Sequence, residues 1–234
     1  MKVLGRELAD PFTEFWDEFS PELAVTESDI ENGLSTVFGD QGADATAPYE
    51  PRWMSLPDDD LAHHVAHELT HQVMVSRKYP KTMRGVEYPP NSAEARVGED
   101  LEEMVLHPSL EEILEPFGFS HEFILNRMAE GARGGMSSAP VPDYGTPWHF
   151  TWAIRHCLLR MELPRHLWTP IETIYAERAP EAAALGRELL DIMLEVGWGS
   201  REQALEAMTR TRDCLGLDVQ DKVLVLDTDT GRIL

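Results

Sequence analysis

Residues 61–74 constrain this chain more than any other segment. Leu61, Val65, Leu69 and Val73 recur every four residues, and His67-Glu68-Leu69-Thr70-His71 lies inside that stripe. A four-residue step of apolar side chains is the pattern of one buried helical face, so any fold must keep a helix here against a core. Asp58, Asp59 and Asp60 place acids in its first turn, where free N–H groups favour negative charge. Tyr79-Pro80 stops it just after Arg77. Residues i and i+4 share a helix side, so the His67 and His71 imidazoles stand one turn apart. At that separation two neutral ring nitrogens can hold one zinc ion. Glu68 projects about 100° round the helix from His67. It can therefore reach the flank of such a metal without ligating it, as a general base must.

The run Ala62-His63-His64-Val65-Ala66-His67-Glu68-Leu69-Thr70-His71-Gln72-Val73-Met74 resembles the active-site helix of zincin metallopeptidases. No Gly and His follow His71 at metzincin spacing. The layout is similar to that of gluzincins, including small intracellular peptidases of the ImmA/IrrE kind, where a Glu on a later helix is the third ligand. Glu99-Asp100-Leu101-Glu102-Glu103-Met104-Val105-Leu106-His107-Pro108 fills the place of that helix. The resemblance covers about residues 60–110. It implies a zincin-like fold, a Zn2+ cofactor, and hydrolysis of peptide or protein substrates by water activated on the metal, with Glu68 taking the proton.

Glu94, Glu99, Glu102 and Glu103 all offer the third ligand. Val97, Leu101, Met104 and Val105 mark the buried face of their helix. Glu102 lies at the edge of that face with Gly98 one turn before it, and a glycine there would let two helices approach closely. Glu102 is thus the expected ligand. Glu94 is explained by capping-box spacing from Asn91. Glu99 and Glu103 form an ExxxE pair that resembles the ExxxD of thermolysin-like enzymes, which makes them the alternative or supporting acids. His64 reads either as cleft lining or as core, and His107 as a possible support for the site. Tyr144 and His149 follow a Gly/Pro-rich loop, and related peptidases use a downstream Tyr or His to hold the oxyanion. His121, His156, His166, Trp148, Trp152 and Trp168 read as structural.

The patterning predicts a mainly α protein with a small β-sheet, an α+β class. Residues 1–130 are expected to form the metal-binding core, 131–147 a flexible lid or linker, and 148–234 a helical part with a terminal β-hairpin, packed on the same domain. Phe12, Phe15, Trp16 and Phe19 fit an amphipathic helix, and 27–38 a second short one. Residues 52–56 read as a short strand and 80–91 as a loop. A helix from Asn91 or Ser92 to about Leu106 gives way to a short one opened by Pro108 and ended at Gly118. Further helices are expected at 148–163, 168–176, 180–196 and 200–215, then a strand at 222–227 and its return at 232–234.

Composition limits the partners. The 234 residues hold 42 acids and 20 bases, a formal charge of −22. Such a surface repels phosphate backbones and anionic lipid, so neither nucleic acid nor membrane is an expected partner. No run of 18 apolar residues is present, and the first residues carry no apolar h-region. Cys157 and Cys214 belong to no CxxC or ligand-spaced cluster, so free thiols in a reducing compartment are expected. The expected location is the cytoplasm.

Overall fold

The structure is a computed structural model that describes residues 1–3, 5–31 and 56–234. It is mainly helical with a small antiparallel sheet, the expected class. The chain divides into two compact units, Met1–Arg77 with Leu110–Ile124, and Lys78–Ser109 with Leu125–Leu234. The strand expected at 52–56 lies mostly outside the described residues, as does the end of the helix expected at 27–38.

In the first unit, the strands β1 (Lys2–Val3) and β2 (Arg6–Glu7) pair antiparallel. Helix α1 (Phe12–Phe19) buries all four of its aromatics. Phe15 stacks on Phe12, lies tilted against Phe19 at 5.1 Å, and meets the ring edges of Phe117 and Phe119 at 5.5 and 6.1 Å. This cluster is the core that the aromatic spacing predicts. The short helix α2 (Glu27–Glu31) buries Ile30. Helix α3 (Asp58–Ser76) buries Leu61, Val65, Leu69 and Val73 completely, so the four-residue stripe is its core face. Glu22 holds the end of α3 through a paired contact with Arg77 at 2.9 and 3.0 Å.

The second unit holds a three-stranded sheet in the order β3-β4-β5, from β3 (Lys81–Arg84), β4 (Val223–Asp227) and β5 (Arg232–Ile233). In the central strand Val223, Val225 and Asp227 are buried in alternation, the period of a half-buried strand. Gly231 closes the β4–β5 turn at φ 73°, donating its N–H to Asp227 O at 2.8 Å. That left-handed geometry is cheap only for glycine. β3 occupies the segment expected to be a loop. It is a four-residue edge strand directly after Pro80, and proline is tolerated there because no ladder donor is needed.

Helix α4 runs from Ala93 to Leu114, through Pro108. The sequence reading ended a helix at Leu106 because proline removes one backbone donor. Here the flanking residues Leu106 and Leu110 are both buried, and that packing carries the helix across the missing bond. Ser92 caps its start, its hydroxyl accepting from Ala95 N–H at 3.1 Å. Helix α5 (Glu122–Ser138) likewise runs through Gly131, Gly134 and Gly135, so the lid expected at 131–147 shrinks to an irregular stretch at 139–146. Helices α6 (Pro147–Glu162), α7 (Arg165–Arg178), α8 (Pro180–Val196) and α9 (Arg201–Cys214) complete the unit. Trp168, Ile171 and Tyr175 fill its core with Leu159, Ala182 and Ala183. Both cysteines are free, and burial pushes the Cys157 thiol up to about 12. No described helix is long and apolar enough to cross a membrane.

Candidate metal centre

Helix α3 lays three imidazoles along one side. His63, His67 and His71 follow at i, i+4 and i+8, so each stands about one turn from the next. The His63 and His67 ring centres are 6.0 Å apart, and those of His67 and His71 are 5.1 Å apart, edge to face. His63 is buried and stacks on His121 at 4.6 Å, with the ring edge of Phe119 at 6.1 Å. This packing fixes the His63 ring before any ligand arrives.

The last turns of α4 bring an acid to that stripe. Leu110 and Leu114 are buried in the first unit and set the helix rotation, and Glu111 projects beside them. Its Oε1 lies 3.6 Å from His67 Nδ1 and 3.9 Å from His63 Nε2. The three residues offer ligand atoms that all lie within 4.8 Å of one another. Burial works to raise the Glu111 carboxyl, but the neighbouring His63 and His67 imidazoles outweigh it and hold the group well below the usual carboxylate range. On the flank of the same helix, His64 Nδ1 stands 4.0 Å from Glu68 Oε1. Asp60, one turn before His64, accepts from Ile124 N–H at 3.3 Å, and burial raises its carboxyl.

The donor set suits zinc. Two imidazole nitrogens and one carboxylate oxygen would supply three ligands to such an ion, the number that hydrolytic zinc sites use. Ligand atoms sharing a tetrahedral zinc at about 2.0–2.1 Å lie about 3.4 Å from one another. The two carboxylate–imidazole separations, 3.6 and 3.9 Å, are slightly wider, within the reach of a small carboxylate rotation. A second observation points the same way. Both ring nitrogens of His63 are buried without a hydrogen-bond partner. Buried polar atoms are costly when unsatisfied, and a metal on Nε2 would relieve one of them.

The glutamates expected as ligands lie in the second unit, each with surroundings of its own there. Glu102 Oε2 accepts from Thr82 N–H at 2.6 Å and lies 3.1 Å from the Thr82 hydroxyl oxygen, and burial raises its carboxyl against those contacts. Among the described residues it joins no metal-competent group. Gly98 does allow a close approach, but to the sheet. A Cβ there would lie 3.6 Å from Thr82 Oγ1 and Val223, and the Thr82 hydroxyl donates to Gly98 O at 2.9 Å. Glu99 is exposed and stands 3.7 Å from Arg96. Glu103 borders a cavity of the second unit, and Glu94 lies in the first turn of α4. His107 is paired with Glu162 at 2.6 Å. Tyr144 is exposed, while His149 is buried with its ring centre 4.9 Å away, and burial lowers its imidazole. Both belong to the second unit.

Sequence reasoning missed Glu111 and His63. The signal for His63 was present, since His63 and His67 repeat the i, i+4 spacing of His67 and His71. Glu111 was hidden by reading Pro108 as a helix break, which detached it from the acidic helix. Comparison with protein-family profiles, curated proteins and solved structures finds no match to this chain.

Proposed function

We propose that this protein is a zinc-dependent hydrolase of the peptidase type, with the metal held by His63, His67 and Glu111. The observation that carries the reading is the Glu111 carboxylate beside two imidazoles of a helix that also bears HExxH. Glu111 takes the role first expected of Glu102, whose Oε2 accepts from Thr82. A zinc ion there would polarise a substrate carbonyl and make water acidic near neutral pH. The chain's own part falls to the flank of α3. Glu68 accepts a proton from the attacking water and returns it to the leaving amine. His64, one turn before Glu68, steadies the carboxylate between those two acts. His63, packed on His121, holds its ring in one orientation, so the site is organised before substrate enters. The strongly acidic chain favours peptides with basic residues near the scissile bond.

Metal content and peptide hydrolysis, measured together on wild type and on Glu68→Gln, test this reading. It requires zinc in both proteins and turnover only in the first. One observation favours a second reading, a metal-binding protein without turnover. The donor set of His63, His67 and Glu111 begins one turn before the HExxH motif, and so does not depend on His71. Zinc in both proteins with hydrolysis in neither supports that reading.

A further inference from the structure

Helices α4, α5 and α6 of the second unit enclose a cavity of about 430 Å³. That is within the usual size of small-molecule sites. Its walls are of two kinds. From α5 and α6 come Met128, Met136, Trp152, Leu158 and Leu159, an apolar lining, with Glu162 and the exposed Arg155 of α6 beside it. From α4 comes a polar stripe, Arg96, Asp100, Glu103 and His107, at i, i+4, i+7 and i+11. Such spacing puts all four on one helical face.

The room comes from α5. Gly131 and Gly135 line the cavity, and a Cβ at either would meet nothing within 4 Å. Glycine weakens a helix relative to alanine. Here no packed neighbour requires its smallness, so the space it leaves is the feature gained.

Two carboxylate oxygens of this lining have no donor. Asp100 is buried, with Oδ1 3.3 Å from Arg96 Nε, while its Oδ2 is buried without a partner. Glu162 repeats the pattern, with Oε1 2.6 Å from His107 Nδ1 and Oε2 buried without a partner. An ionised carboxylate oxygen only accepts, so each wants an N–H. Arg96 is already shared between Asp100 and Glu99.

We propose that this cavity is a binding site for a small hydrophobic amine. Its alkyl part lies among Met128, Met136 and Leu159, and its ammonium group donates to Asp100 and Glu162. The strongly negative chain adds a field that concentrates cations over anions. The site goes beyond the proposed hydrolase and does not rest on it.

The test is calorimetric titration of the full chain with octylamine, octanol and octanoate, with thermal melting alongside. Octylamine should bind and raise the melting temperature. Octanol should bind at least tenfold more weakly, because a hydrogen bond to a charged group is worth at least that factor. Gly135→Leu should fill the cavity and abolish binding. Gly134→Leu is the folding control. It lies on the same helix, also has open space at Cβ and does not line the cavity, so it should bind as wild type. Asp100→Asn should remove most of the preference for amine over alcohol. Equal binding of amine and alcohol, stronger binding of octanoate, wild-type binding by Gly135→Leu, or no binding of octylamine would each overturn the proposal.

Discussion

Glu111 Oε1 sits 3.6 Å from His67 Nδ1, joining the end of α4 to the helix that carries HExxH. The contact depends on α4 remaining helical through Pro108. Had the helix ended at Leu106, the rotation of Glu111 would not be set by Leu110 and Leu114.

Glu68→Gln should keep its metal and its thermal stability but lose turnover by about 10²–10⁴-fold, the usual worth of a positioned general base. Single-turnover hydrolysis of a peptide, set beside the zinc content of the same sample, measures it. Hydrolysis at the wild-type rate would remove Glu68 from the chemistry.

Gly186→Ala should destabilise the protein. A Cβ at Gly186 would lie 2.7 Å from Ala153 O and from the Cβ and Nδ1 of His156, where α8 packs on α6. Overpacking of this kind costs about 1–3 kcal/mol, and the helix propensity gained by alanine returns about 1 kcal/mol. Chemical denaturation should show a net loss of up to about 2 kcal/mol. An unchanged midpoint would mean that α8 can shift away from α6 freely.

Acid should weaken the fold through His156. Burial, with the charges of Arg187 and Arg160, lowers its imidazole to about 4, against an ordinary value near 6.5. In that window the unfolded chain binds a proton that the folded chain refuses. His156 therefore favours folding above about pH 6.5, and this contribution is lost as pH falls toward 4. In His156→Leu the dependence of stability on pH between those values should be shallower by up to one proton. Equal slopes in the two proteins would show that His156 can be protonated in the folded state.

Much of the architecture was legible in the chain because periodicity survives burial. The step from Leu61 to Val73 gave α3, the aromatics from Phe12 to Phe19 gave α1, and the β-branched run at Val223 gave β4. Segments where packing overrides local propensity were not legible. Pro108 and the α5 glycines read as breaks, yet both lie inside helices. β3 is short and flanked by prolines, and only its pairing with Val223 to Leu226 defines it. For the candidate site, the shared helix face of His67 and His71 followed from spacing alone. Glu102 was preferred from its position at the edge of a buried face, but spacing does not reveal which neighbour that face meets. The neighbour is β3, with Thr82 as partner.

Glu102→Ala should reduce stability and leave the metal in place. It removes the acceptor of the part-buried Thr82 N–H, and a donor left unsatisfied costs about 1–3 kcal/mol when fully buried. Denaturation and elemental analysis of one preparation separate the two effects. Loss of zinc with unchanged stability would restore Glu102 as a ligand.

The central claim is that Glu111, with His63 and His67, holds a zinc ion. Elemental analysis of protein purified without chelators and dialysed against trace zinc tests it most directly, on wild type, Glu111→Gln and Glu102→Gln. The account predicts about one zinc per chain in wild type and in Glu102→Gln, and a loss of at least tenfold in zinc affinity in Glu111→Gln. Full zinc in Glu111→Gln, or none in the wild type, would contradict it.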